Sequence, residues 1–164
     1  MTWSIRELED GDWPQVHDLV VEMARAGETY AMDVPATLEE TQAFWSGAHV
    51  VVAVEGDTVL GSAKMGPNRP AQGSHVGTAS FVVGSASRGR GLGRALGEYA
   101  VNWHHRELYR GIQFNAVVAT NTAAVHLWHS LGFYTVGLVP QAFRLPGGGY
   151  TDLHVMYLHL VAPS

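Results

Sequence analysis

The residues of this chain whose types and spacing could do chemistry lie in the run Val83-Gly84-Ser85-Ala86-Ser87-Arg88-Gly89-Arg90-Gly91-Leu92-Gly93-Arg94. Glycines let the backbone turn tightly there and keep side chains out of the way, so N–H groups can converge on one point with guanidiniums beside them. Leu92, Leu96, Tyr99, Ala100 and Trp103 follow at helical spacing, and the apolar run Phe81-Val82-Val83 precedes. A strand therefore turns into a helix at a glycine-rich bend. The first amides of a helix have no partner of their own and its dipole favours negative charge. The chemistry indicated is the gripping of a phosphate.

Spacing separates the kinds of phosphate cradle. A P-loop needs G-x-x-x-x-G-K-[ST], but Gly84 and Gly89 are followed by Arg90 and Gly91, which supply neither the lysine nor the magnesium-binding hydroxyl. A dinucleotide fingerprint needs G-x-G-x-x-G and a later acid for the ribose. Here Arg94 stands where the third glycine is required, and no Asp or Glu occurs from Leu108 to Thr151. What fits is Arg88-x-x-Gly91-x-Gly93, which resembles the [Q/R]-x-x-G-x-[G/A] signature of the GCN5-related N-acetyltransferases. The resemblance continues in order through Asn115, Asn121, the segment from Ala124 to Phe133, Val136-Gly137-Leu138 and Asp152 through Met156.

The elements that must position this bend can be read along the chain. Thr2 to Leu8 alternates weakly as a first strand. Asp12 is expected to cap a helix, with Pro14 in its first turn, Gln15 at the capping-box position and Gly27 at its end. Thr37 and Glu40 open a second helix, carrying Leu38, Phe44 and Trp45. Val50 to Val54 and Val59 to Met65 flank a hairpin turn at Glu55-Gly56-Asp57-Thr58. His75 to Val83 is a long central strand and Ile112 to Ala119 another. Asn121 caps a helix with Ala124, Val125, Trp128 and Leu131 on one face, closed by Gly132. Phe133 to Val139 and Tyr150 to Leu160 are terminal strands. The order is β-α-α-β-β-β-α-β-α-β-β, an α/β fold with a mixed sheet of about seven strands and helices on both faces, read as one domain over residues 1–164.

Bulk properties narrow the partners. The net charge of −5 hides a split: residues 1–60 hold 12 acids and 2 bases, residues 61–164 hold 8 bases and 3 acids. The basic part suits a polyanionic cofactor and the acidic part a cationic amine. Basic residues are too few and too scattered for nucleic acid. The chain has no cysteine, which excludes thiol catalysis and thiolate metal sites, and no histidine pair has convincing metal spacing, so no metal is expected. No apolar run approaches the roughly 18 residues of a membrane span. A cytoplasmic protein that does not engage membranes is expected. His104, His105, His126 and His129 are read as surface residues.

The family resemblance implies acetyl-CoA as cofactor and a site to match. It assigns the pyrophosphate to the amides from Gly89 to Arg94, namely Gly89, Arg90, Gly91, Leu92, Gly93 and Arg94, with the Arg88 and Arg90 side chains close by. It runs the pantetheine arm along the opened strand edge Phe81, Val82 and Val83, whose Val83 N–H polarises the thioester oxygen. Asn121 is implied to bond the pantetheine region. Trp128 stands among the cofactor contacts where many members carry a tyrosine that protonates the departing thiolate, and indole cannot do so. Trp128, Asn115 and Val136 to Pro140 are similar to the branch that acetylates proline analogues such as azetidine-2-carboxylate. In that branch Thr78 and Asn115 would line the acceptor pocket. Tyr30 is the preferred acceptor contact from the loop between the first two helices, with Glu28 and Asp33 as partners for an ammonium group. Tyr30, Trp45 and Gly147 to Gly149 are expected to close over a small ligand. A small-molecule amine acceptor is the leading reading, attacking directly in a ternary complex, with Val83, Asn115 and Asn121 as catalytic residues. Acetylation of a protein or peptide and a non-catalytic coenzyme A module are the alternatives, and a homodimer is compatible with all three.

Overall fold

A computed structural model describes residues 2–161. Among these residues the elements are β1 (Ser4–Glu7), α1 (Trp13–Ala26), α2 (Leu38–Phe44), β2 (His49–Glu55), β3 (Thr58–Pro67), β4 (Val76–Val83), α3 (Leu92–Arg106), β5 (Gly111–Val118), α4 (Thr122–Ser130), β6 (Tyr134–Arg144) and β7 (Tyr150–His159). The order matches the sequence reading. The sheet has seven strands in the spatial order β1-β2-β3-β4-β5-β7-β6. All neighbours are antiparallel except β4 and β5.

Alternation along the strands divides the core between two faces. Val52, Val54, Val59 and Val82 pack on one face with Val16 and Val20 of α1 and with Trp45. Val51, Ala53, Leu60, Ala63 and Met65 pack on the other with Leu92, Leu96, Ala100 and Trp103 of α3. Each such aliphatic side chain, fully buried, contributes about 1.5–3 kcal/mol of transfer free energy. The apolar stripe read for α3 is therefore the stripe that is buried. A third cluster joins Ile112, Phe114, Val117, Trp128, Phe133 and Met156 under α4.

Several local expectations are corrected. Asp12 makes no side-chain cap for α1; its carboxylate instead takes both nitrogens of Arg6 at 2.7 and 3.0 Å and the Glu9 amide at 2.8 Å. Gln15 does not reach back to a cap either, because its amide bridges the β2–β3 turn, donating to the Asp57 carbonyl and accepting from the Val59 amide. Thr37 caps α2 as expected. The sixth strand runs on to Arg144, past Val139, through a bulge. His104 is wholly buried rather than solvated, because Gly77 leaves room for its ring against β4: a Cβ there would lie 2.2 Å from it. His105, His126 and His129 are exposed.

The feature that positions the site is the parting of β4 from β5. They pair only at Val76–Gly111 and Gly77–Ile112. Beyond that point Phe81 of β4, Phe114 of β5 and Trp128 of α4 meet as a wedge, with ring centroids 6.0, 4.9 and 4.7 Å apart. The strands splay, and β4 keeps an open edge.

Candidate active site

The bend after β4 is built to leave its amides free. Gly84 N–H donates to Leu60 O and Ser87 N–H to Gly84 O, which turns the chain. Ser85 is clamped by Glu22 of α1, whose carboxylate accepts from both its amide and its hydroxyl at 2.9 Å. These bonds, with Arg88 nearby, hold the Glu22 carboxyl below the usual range. Gly89 and Gly91 then adopt φ of +80°, which only glycine takes without strain. None of the six amides from Gly89 to Arg94 has a partner among the described residues, and α3 starts with no side-chain cap. A Cβ at Gly89 or Gly91 would meet no protein atom within 4 Å. Six orphan amides, a helix N-terminus and the exposed Arg88 together suit a diphosphate.

A cleft of about 950 Å³ runs from this cradle along the parted strands. Gly84 N–H points to β3 and Phe81 N–H points away from it, so by alternation the odd residues Ala79, Phe81 and Val83 face the gap. Val83 N–H faces the gap with no partner among the described residues, so it is free to polarise a carbonyl oxygen. Phe81 N–H is not free: it donates to the Tyr30 hydroxyl at 3.0 Å. Tyr30 thus anchors the α1–α2 loop to the open edge while still lining the cleft. Burial pushes its phenol up.

Of the residues expected at the site, the cleft is lined by Tyr30, Thr78, Phe81, Val82, Val83, Arg88, Gly89, Gly91, Leu92, Gly93, Asn115, Asn121 and Trp128. Arg90 and Arg94 contribute only backbone. The Arg90 guanidinium is held by Glu55 at 2.9 and 3.4 Å, and that of Arg94 by Ser130 at 2.9 Å and Glu98 at 3.0 Å. Asn121 serves two purposes. Its carbonyl oxygen accepts from Ala124 N–H at 3.3 Å, leaving its NH2 group for the cleft. Asn115 lies in the cleft but is tied to Asn68 by reciprocal bonds of 2.6 and 3.3 Å and takes Gln113 as well. Glu28 lines the cleft and Asp33 does not. Trp45 is buried with its indole on Ser62, and Gly147 to Gly149 stand clear of the lining, so neither closes the site.

Among the lining residues that the sequence reading did not single out are the polar side chains Glu22, Ser80 and Lys64. Lys64 is a half-buried cation whose ammonium group donates to the Phe44 carbonyl and sits 4.3 Å from the Phe44 ring centroid. Burial lowers its pKa. The signal for it was present: Ser62 and Lys64 are the polar alternates within an otherwise apolar strand.

A mixed sheet parted beside an amide cradle at a strand-to-helix turn suits a ligand that carries a diphosphate and an extended arm. Comparison with known proteins agrees. The model of the acetyltransferase (GNAT) family matches residues 4–133, and the chain belongs to that family. It is 30% identical over 152 residues to the N-acetyltransferase aca1 of Schizosaccharomyces pombe, covering 81% of this chain and 73% of that protein. It is 31% identical over 116 residues to the L-amino acid N-acyltransferase MnaT of Escherichia coli, covering 70% of this chain and 66% of that one. A solved GCN5-related N-acetyltransferase from Kribbella flavida is 50% identical with a TM-score of 0.92, over 96% of this chain and 97% of its own. The protein is an N-acetyltransferase and its cofactor is acetyl-CoA. A non-catalytic module, kept open by the sequence, is set aside.

Proposed function

We propose that the enzyme acetylates the amine of a small molecule, an amino acid or amino-acid analogue, by direct attack in a ternary complex. The observation that carries this reading is the continuity of one cleft from the amide cradle to a region roofed by the Tyr30 loop. A loop pinned across the open edge suits a small acceptor better than a peptide that must lie along a groove. The similarity to an L-amino acid N-acyltransferase supports the same class.

Acetyl-CoA supplies an activated acyl group as a thioester. The amides of Gly89 to Arg94 and the Arg88 side chain would hold its diphosphate, and Asn121 NH2 its arm. Val83 N–H would stabilise charge developing on the thioester oxygen. The acceptor must arrive as a neutral amine. Trp128 packs beneath the arm and donates no proton to a thiolate, which is a good enough leaving group to depart without a dedicated acid. Thr78 and Ser80 side chains share the acceptor face. Exposed Val136, Leu138 and Val139 on the edge strand β6 support a homodimer, which light scattering on the purified protein would test.

Thiol release from acetyl-CoA with amino acids, simple amines and peptides tests the acceptor class. Turnover only with peptides would refute the proposal. Gly91→Glu tests the cradle. It strains the backbone by roughly 1–2 kcal/mol at a positive φ, its Cβ meets no protein atom within 4 Å, and it places a carboxylate among the amides. Coenzyme A affinity should fall at least about 100-fold, roughly 3 kcal/mol, with the melting profile still cooperative. Unchanged affinity by calorimetry would remove the cradle from the mechanism.

A further inference from the structure

Two cationic side chains line the cleft, one at each end. Arg88 stands at the cradle. Lys64 stands on β3 opposite Ser80, and Ser80 lies three residues, about 10 Å, along β4 from Val83. Its ammonium has one hydrogen-bond acceptor, the Phe44 carbonyl. No carboxylate lies within ion-pair distance of it among the described residues. The rings of Phe44 and Trp45, 4.3 and 5.6 Å from the nitrogen, cover its flank at cation–π distance. A half-buried ammonium with two unused donors, facing a cleft, is incomplete without an anion. Ser80, its cross-strand neighbour, and Thr78 put hydroxyls on the same face.

We propose that Lys64 binds a carboxylate of the acceptor, so that the preferred acceptor is an amine carrying a carboxylate near its amino group. This rests on the reading of the site as a small-molecule N-acetyltransferase. With its carboxylate on Lys64, the acceptor has its amino group directed along β4 toward Val83. Selectivity follows from desolvation: an acceptor without the anion leaves Lys64 unpaired when the cleft is filled. Lys64 is thereby a specificity-determining residue and takes no proton from the amine.

The test compares matched acceptors, azetidine-2-carboxylate and L-methionine sulfone against their carboxamides. The carboxamides have less basic amines, so simple amine reactivity favours them. The wild-type enzyme should prefer the acids by about tenfold or more in kcat/KM, expressed mainly in KM. Lys64→Met keeps the length and removes the charge. It should erase the preference while coenzyme A still binds, which reports an intact fold. Equal use of acid and amide by the wild type would overturn the proposal, as would a preference that survives in Lys64→Met. So would an equal loss of kcat for both acceptors with loss of the acidic limb of the pH profile, since that marks a general base. If coenzyme A binds but no amine is acetylated, the function reading fails separately. Calorimetric titration of the same acceptors into the coenzyme A complex then decides: acid binding that depends on Lys64 supports the proposal, and indifference to the carboxylate sinks it.

Discussion

Replacing Tyr30 by phenylalanine removes one oxygen and little else, which makes it a sharp probe of how the open edge is held. In the wild type the Tyr30 hydroxyl accepts the Phe81 amide at 3.0 Å. By alternation that amide faces the gap between β4 and β5, where the pairing has already ended at Gly77. No other acceptor stands there among the described residues. A buried donor left without a partner costs about 1–3 kcal/mol, less where water enters. Taking about 2 kcal/mol, the melting temperature should fall by roughly 4–8 °C for a chain of this size. Exchange of the Phe81 amide with solvent should quicken by roughly 30-fold. The loop from Glu28 to Met32 lines the cleft, so its release should raise KM for the acceptor. The cradle depends on Glu22 and the glycines instead, so coenzyme A affinity should hold. Calorimetry, hydrogen exchange and steady-state kinetics read these three quantities. A melting temperature within about 1 °C of wild type, with Phe81 still protected, would refute the anchoring role.

The pair between Arg6 and Asp12 makes stability depend on acid pH. Arg6, with the Glu9 amide, holds the Asp12 carboxyl below its usual value. A depressed carboxylate contributes stability that is fully present above the unfolded-state value, near about 3.9, and is lost as pH falls through the folded value. Asp12→Asn should therefore melt lower than wild type at neutral pH, and the two melting curves should converge as the pH drops below about 4. At Gly77, an alanine Cβ would sit 2.2 Å from the buried His104 ring and 3.2 Å from Tyr109. Overpacking of that kind costs about 1–3 kcal/mol, and because Gly77 ends the β4–β5 pairing, kcat/KM should fall with stability. A variant as stable and active as wild type would show that the ring moves aside freely.

Local physics is legible in this chain because the causes are adjacent in sequence. The glycine-rich bend, the helix whose Leu92, Leu96, Ala100 and Trp103 are buried, the hairpin at Gly56 and the cap at Asn121 each depend on residues a few positions apart. Backbone sterics and periodicity act at that range, so the cradle and the order of elements could be read without coordinates in hand. The motif from Arg88 to Gly93 owes its legibility to the same fact, since its amides belong to one continuous turn.

Side-chain partnership is a matter of which strands become neighbours, and periodicity reports a face without naming what lies against it. Arg90 points to Glu55, Asn115 to Asn68 and His104 to the gap left by Gly77, through contacts 35, 47 and 27 residues apart in sequence. Tyr30 meets the open edge, and Lys64 meets Phe44, only once α1 and α2 have docked on the sheet. By itself the sequence determined where the glycine-rich bend leaves its strand and opens a helix. The tertiary structure alone decided which side chains share the cleft with it, because desolvation and ion pairing depend on distance in space and not along the chain.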